Sequence, residues 1–129
     1  MTCKWSVFAI CVIVGGGTAC GKETPEALAL IRGTSDGSSV SGVAQFNETS
    51  EGLRVTVTVA NVPPGKHGFH IHEYGDCADQ GKAAGGHDNP AGVQHGFLPA
   101  DGFAGAHAGD FGNIEVGPDG TGALTLALQ

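Results

Sequence analysis

The sequence predicts an all-β domain, an antiparallel sandwich or barrel of about six strands. The composition is rich in turn-forming residues, with 23 glycines and 6 prolines among 129 residues, and only 15% of the residues are charged. Several short segments alternate apolar and polar side chains, and no convincing helix follows the first 19 residues. A helical bundle would instead be rich in Ala, Glu, Lys and Leu.

Three strands are predicted in the first half of the domain. Residues 27–31 (ALALI) form the first strand, which ends at a cluster of turn residues, 33–38. Residues 40–47 place Val, Gly, Ala and Phe on one face, and residues 53–60 alternate Leu and Val with Arg and Thr. Such alternation is typical of strands with one face in the core and one face in water.

The fourth predicted strand, residues 66–73, carries two histidines. His70 and His72 lie two residues apart, so both imidazoles point to the same face of a strand. Phe69 and Ile71 fall on the opposite face, where they can enter the core. The strand therefore belongs both to the core and to a candidate metal site.

Two other residues of this strand are predicted to lie outside the metal site. His67 has the parity of Phe69 and should point towards the core as a hydrogen-bonded histidine. Glu73 lies at the strand end and is interpreted as a surface or loop-facing carboxylate instead of a catalytic one.

A long segment without periodicity separates the fourth strand from the last two. Residues 74–106 contain mostly Gly, Asp, Asn, Pro, Ala and His. A structureless loop of this length in a compact domain is normally either a mistaken assignment or a functional loop. With His107 at its far end it carries three of the six histidines, which favours a functional loop. Strands are then predicted at 113–116 and 124–128, joined by the turn 117–120.

The N-terminal segment, residues 1–19, is predicted to be a signal peptide. Lys4 precedes an apolar run, residues 5–14, which has the length of a signal-peptide core and is too short to cross a bilayer. Thr18-Ala19-Cys20 resembles a bacterial lipoprotein cleavage site, which predicts a lipidated Cys20, a tether at 20–26 and a domain at 27–129. Ordinary cleavage nearby and a retained membrane anchor remain alternatives. The predicted location is the periplasm or cell envelope.

The charge and the cysteines narrow the function further. The formal net charge of −7 argues against binding to nucleic acids or anionic membranes, which favour basic patches. Lys66 is the basic residue beside the histidine strand. Cys77 is the only cysteine of the predicted domain, which is unusual in an exported protein because such proteins normally pair their thiols.

Five of the six histidines and one aspartate form the candidate metal-binding set. Imidazoles suit copper and zinc, and one carboxylate among imidazoles suits zinc, so the set could serve two metals. The alternative for each histidine alone is a solvated or hydrogen-bonded role, but their joint placement on one strand and its neighbouring loop favours metal. The set consists of His70, His72, His87, His95, His107 and Asp110.

Four motifs resemble the Cu,Zn superoxide dismutase family in order and spacing. They are residues 68–78 (GFHIHEYGDCA), 85–90 (GGHDNP), 95–96 (HG) and 107–113 (HAGDFGN), and the resemblance covers about residues 27–129. It implies a Greek-key β-barrel and the dismutation of superoxide to oxygen and hydrogen peroxide.

The resemblance also implies a role for each residue of the set. Copper would be bound by His70, His72 and His87. Zinc, in a structural role, would be bound by His87, His95, His107 and Asp110. His87 would bridge the two metals and carry a proton, which makes it the catalytic histidine. Cys77 would form a disulfide, and superoxide would be the substrate; a homodimer is left open.

The sequence departs from the family pattern in two places. Family members continue beyond the sixth strand with a fourth copper histidine, a substrate-guiding arginine, the cysteine partner of Cys77, and two further strands; the sequence is therefore expected to be C-terminally truncated, with Cys77's partner absent. Asp88 stands where the family usually has an aromatic residue.

Two other functions remain possible at this point. One is a non-catalytic copper- and zinc-binding envelope protein with the same fold. The other is an interaction module that pairs an open sheet edge with a partner strand.

Overall fold

Six strands form one antiparallel sheet in the computed structural model, which describes residues 26–129. The predicted signal peptide, Cys20 and residues 20–25 of the tether lie outside these residues. The strands are β1 (Glu26–Arg32), β2 (Ser41–Thr49), β3 (Gly52–Ala60), β4 (Gly65–His70), β5 (Asp110–Val116) and β6 (Gly122–Leu128). The predicted all-β class is confirmed.

The strand order is β1-β2-β3-β6-β5-β4, with all neighbours antiparallel. The strands β4, β5 and β6 follow one another as neighbours, and β3 lies beside β6 instead of beside β4. This arrangement is a Greek key, and the sheet curls into a half-barrel. The register pairs Gly68 with Asn113 and, after an irregularity, His70 with Asp110, so the histidine strand meets the start of β5.

The core lies on the face of the sheet that the alternation predicts to be buried. Val55 and Val57 of β3 are fully buried, and Ile114, Val116 and Leu128 are nearly so. Phe69 and Ile71 pack against this cluster, as their parity predicts. Burial of this apolar surface stabilises the fold by roughly 25 cal/mol for each Å² removed from water. The packing holds β4 and β5 in place beneath the histidines.

Two sequence-based expectations about the elements are wrong. The histidine strand ends at His70, and His72 makes only an isolated bridge with His87. The connection between β4 and β5 also contains a 3-10 helix (Asp79–Ala84) and the helix α1 (Leu98–Gly105).

Local hydrogen bonding explains why α1 gave no sequence signal. The carboxylate of Asp101 accepts a hydrogen bond from the Phe97 N–H at 2.7 Å, which closes the first turn. Gly102, with φ at 64°, then interrupts the helix, so its apolar residues do not repeat with helical spacing. Among residues 26–129, no helix is long and apolar enough to cross a membrane.

Candidate metal centre

A ring of three backbone hydrogen bonds joins the segments that carry the predicted ligands. The N–H of Ile71 donates to the Gly109 carbonyl at 3.0 Å, the N–H of Gly109 to Asp88 at 3.0 Å, and the N–H of Asp88 to Ile71 at 2.9 Å. Each of these residues adjoins a predicted ligand in the sequence, so the ring brings the ends of β4, the loop and β5 together. Asp88 takes part through its backbone, which explains how an aspartate is accommodated at this position.

The carboxylate of Asp110 lies at the middle of the cluster and is 1% exposed. Its Oδ1 lies 2.7 Å from Nδ1 of His87, and its Oδ2 accepts hydrogen bonds from the backbone N–H groups of Gly96 (3.0 Å) and His107 (3.2 Å). Nδ1 of His95 lies 2.9 Å from Oδ2. Burial raises the pKa of Asp110, but the hydrogen bonds from Gly96, His87 and His107 outweigh it and lower the pKa to about 2.

Four of the predicted ligands form a cluster whose donor atoms fit a metal ion. His87, His95, His107 and Asp110 each offer an atom within 4.8 Å of the others. Nδ1 of His107 is buried without a hydrogen-bond partner and lies 3.4 Å from Asp110, too poorly oriented to bond with it. An unsatisfied buried nitrogen costs about 1–3 kcal/mol, and a bound cation would remove that cost. Three imidazoles and one carboxylate fit zinc.

The two remaining predicted ligands, His70 and His72, lie against His87. The imidazole of His70 stacks on that of His87 with centroids 3.9 Å apart and 22° between the planes, and His72 meets His87 edge-on at 5.4 Å. Because an imidazole binds metal in its ring plane, stacked rings do not aim their nitrogens at one point. His70 must turn before it can share an ion with His87.

Neighbouring groups keep these histidines suited to metal binding. Nδ1 of His72 contacts the Gly85 carbonyl at 3.1 Å. Since a carbonyl only accepts, Nδ1 carries the hydrogen and Nε2 keeps its lone pair. Burial, and then the proximity of His87, lower the pKa of His70 below its usual value, which favours the neutral ligand form.

The residues outside the cluster are placed as follows. His67 is half-buried, and its Nε2 contacts the Pro63 carbonyl at 2.7 Å, which confirms a hydrogen-bonded structural histidine. Glu73 is exposed, as predicted, and Cys77 is exposed in the segment after β4.

Sequence reasoning missed the backbone groups that orient the cluster. The carbonyl of Gly85 contacts His72, and the N–H of Gly96 donates to Asp110. Each glycine lies close to a predicted histidine in the sequence, but backbone groups carry no residue-specific signal, so their roles become visible only in the fold.

Comparisons with known proteins agree with this geometry. The family model described as copper/zinc superoxide dismutase matches residues 40–129. The chain is 43% identical over 105 residues to a protein of Onchocerca volvulus named superoxide dismutase [Cu-Zn], covering 80% of this chain and 62% of that protein. It is 48% identical over 88 residues to superoxide dismutase [Cu-Zn] 2 of Brassica juncea, covering 67% of this chain and 56% of that protein. The chain thus spans about 60% of the length of these relatives.

Proposed function

The chain belongs to the copper/zinc superoxide dismutase family, and from that premise we propose that its histidine cluster catalyses the dismutation of superoxide. The observation that supports this most is the convergence of three histidine Nδ1 atoms on the buried carboxylate of Asp110, directly beside His70 and His72. His87 contacts Asp110 on one side and both His70 and His72 on the other.

Zinc would be held by His87, His95, His107 and Asp110. These residues come from the loop and from the start of β5, so one ion would fix both segments to the sheet. The carboxylate supplies one negative charge against the charge of the ion, and the backbone N–H groups of Gly96 and His107 keep that carboxylate oriented. Zinc therefore has a structural role in this proposal.

Copper would be held by His70, His72 and His87. When bound, copper supplies the redox chemistry, in which one superoxide gives up an electron to form oxygen and a second receives it, with two protons, to form hydrogen peroxide. The chain orients this site through the Gly85 carbonyl, which fixes the tautomer of His72.

His87 is the residue suited to moving a proton. Its Nδ1 is engaged by Asp110 at 2.7 Å, which leaves Nε2 as the nitrogen that takes up and releases a proton. The peroxide product requires protons delivered at the reacting centre. His87 therefore serves as a ligand and as a proton carrier.

Superoxide decay measured by stopped flow tests the proposal on the full chain loaded with zinc and copper. We expect decay faster than with the metal-free chain, and we expect the acceleration to persist when EDTA is added to bind any free copper. His87→Ala should abolish the acceleration, whereas His67→Gln should retain it because His67 lies outside the cluster. A loaded chain that binds both metals and does not accelerate decay would exclude dismutation.

Metal binding without catalysis is the second candidate function. It is favoured by the difference between the two ligand sets, since the zinc set is already clustered whereas His70 is stacked on His87. In the same experiment, tight metal retention without faster superoxide decay would support this function.

Export and assembly also belong to the proposal. The apolar run at residues 5–14 and Thr18-Ala19-Cys20 support export to the bacterial periplasm or cell envelope, with Cys20 lipidated and anchored to a membrane. Mass spectrometry of the protein made in a Gram-negative host should find a chain that begins with a diacylglyceryl-modified Cys20; an unmodified Cys20 would exclude lipidation. We also propose a homodimer, which light scattering should detect as twice the monomer mass.

A further inference from the structure

His95 is the most exposed of the four residues proposed to bind zinc. Its side chain is 61% exposed, and its Nδ1 lies 2.9 Å from the carboxylate of Asp110. The other two histidines of the set are much less exposed, and Asp110 is buried. Because so little of the His95 ring packs against the protein, its direction depends on how firmly its backbone is held.

Two carboxylates bind the two backbone N–H groups that follow His95. The N–H of Gly96 donates to Oδ2 of Asp110 at 3.0 Å. The N–H of Phe97 donates to Oδ2 of Asp101 at 2.7 Å, and Asp101 donates its own N–H to the Phe97 carbonyl at 2.9 Å. The first contact joins this backbone segment to the start of β5, and the other two join it to α1.

The same backbone segment is in close contact with both elements. A Cβ at Gly96 would lie 2.6 Å from the Gly105 carbonyl oxygen and 2.9 Å from Oδ2 of Asp101, so α1 lies directly against the segment. The ring of Phe97 in turn lies over Gly112 of β5, with its Cε2 2.6 Å from the position that a Cβ would occupy there. The segment therefore has little room to shift unless one of these contacts is lost.

We propose that Asp101 is a positioning residue for zinc, which holds the peptide after His95 in the orientation that zinc binding needs. This role depends on the zinc site proposed above. Without the Asp101 carboxylate, the Phe97 N–H loses its acceptor. The neighbouring Gly96 N–H can then turn away from Asp110, which leaves the carboxylate and the imidazole of His95 less well oriented.

The expected size of the effect follows from the position of Asp101 outside the ligand set. Groups that orient metal ligands through hydrogen bonds typically change metal affinity by about 10- to 100-fold. Asp101 is exposed and acts through an intervening peptide, so its effect belongs at the lower end of that range.

The alternative is that Asp101 only closes the first turn of α1. Its removal would then destabilise the helix slightly and leave the metal site unchanged. Asp119 offers a matched comparison, because its carboxylate also accepts a backbone N–H, from Thr121 at 3.0 Å, but in the turn between β5 and β6. The two interpretations differ in whether the loss of the carboxylate changes the binding and the geometry of the metal.

The test compares Asp101→Ala, Asp101→Asn and Asp119→Ala with the wild-type full chain. Zinc affinity is measured by competition with a chromophoric chelator, and the geometry of the site by the visible absorption of one equivalent of cobalt(II) bound in place of zinc. We expect Asp101→Ala to lower zinc affinity about tenfold and to weaken and shift the cobalt bands. Asp101→Asn keeps an acceptor oxygen and should restore most of the affinity, and Asp119→Ala should change neither quantity. Urea unfolding of the metal-free variants checks that each is folded.

Equal zinc affinities and equal cobalt spectra in Asp101→Ala and Asp119→Ala would overturn the inference and leave Asp101 as a cap of α1. A zinc affinity as low in Asp101→Asn as in Asp101→Ala would also contradict it, because the hydrogen-bond acceptor would then not matter. Neither measurement involves superoxide. A chain whose zinc affinity depends on Asp101 but that does not accelerate superoxide decay would support this inference and exclude the proposed dismutation.

Discussion

At the scale of single residues, Asp110 determines how the cluster is arranged. A buried carboxylate is costly unless hydrogen bonds compensate for its lost hydration. Here the N–H groups of Gly96 and His107 and the ring of His87 provide that compensation. The same contacts fix the direction in which the carboxylate and the histidine Nδ1 atoms point, so the ligand set is oriented by the protein itself.

Replacing Asp110 tests this role directly. We expect Asp110→Asn to weaken zinc binding by at least about 100-fold, since it removes the only anionic ligand and disturbs three oriented contacts. Competition with a chromophoric chelator measures the affinity. Asp119→Asn is the matched control, because Asp119 is also hydrogen-bonded, to Thr121, but lies in the β5–β6 turn. Equal zinc affinity in the two variants would contradict the role of Asp110.

The low pKa of Asp110 predicts a specific pH dependence of stability. Folding lowers this pKa from 3.8 to about 2, so the folded protein prefers the ionised form more than the unfolded chain does. The resulting stability is present above about pH 4 and is lost as the pH falls towards 2. In urea unfolding of the metal-free protein, the wild type should have a higher free energy of unfolding than Asp110→Asn at pH 4, and the difference should shrink as the pH falls to 2. A difference that stays constant from pH 4 to 2 would contradict this pH dependence.

At the scale of elements, the ring of hydrogen bonds among Ile71, Asp88 and Gly109 fastens the long connection to the sheet. Gly109 is buried within this ring, and a Cβ placed there would lie 2.2 Å from the Ile71 carbonyl oxygen. That oxygen belongs to the backbone and cannot move without breaking the ring. The close approach of these segments therefore requires glycine.

Gly109→Ala should destabilise the protein by about 3 kcal/mol and weaken both metal sites, because the segments must separate to admit the methyl group. Urea unfolding and metal analysis after dialysis measure the two effects. The control is Gly86→Ala, which adjoins His87 but has nothing within 4 Å of the added Cβ. A Gly109→Ala protein as stable as Gly86→Ala would show that the ring is dispensable.

The strands could be predicted from the sequence because their signal is local. Alternation of apolar and polar residues identified β3 almost to its ends and placed Phe69 and Ile71 in the core. The same parity put His70 on the face opposite Phe69. These predictions depend only on the two-residue period of a strand, which sequence alone displays.

The arrangement of the site could not be predicted in the same way, because it depends on contacts between distant segments. Nothing in the sequence indicates that the Gly96 N–H reaches Asp110 or that the Gly85 carbonyl orients His72. The stacking of His70 on His87 is likewise set by where the loop returns to the sheet. The residue types indicated which metals could bind, whereas the orientation of the ligand side chains is visible only in the fold.

At the scale of the whole molecule, two regions are held together by different means. The strands β2, β3 and β6 form continuous ladders over a buried apolar face. The connection between β4 and β5 has little buried apolar surface, with Leu98 and Ala106 as its buried hydrophobic residues between positions 71 and 109. Its order depends on a few polar contacts, of which those to Asp110 are the most concentrated. A metal bound there would join this connection to the sheet.

Zinc should therefore stabilise the connection more than it stabilises the sheet. At free zinc about 1,000 times the dissociation constant, binding should add about 4 kcal/mol to global stability. Hydrogen exchange of the metal-free protein should show amides at residues 87–107 exchanging much faster than those of β3, since the connection can open without unfolding the ladders. Zinc should narrow that gap in the wild type and leave it unchanged in Asp110→Asn. If the connection already exchanges as slowly as β3 without zinc, its own contacts suffice to order it, and the structural role proposed for zinc is wrong.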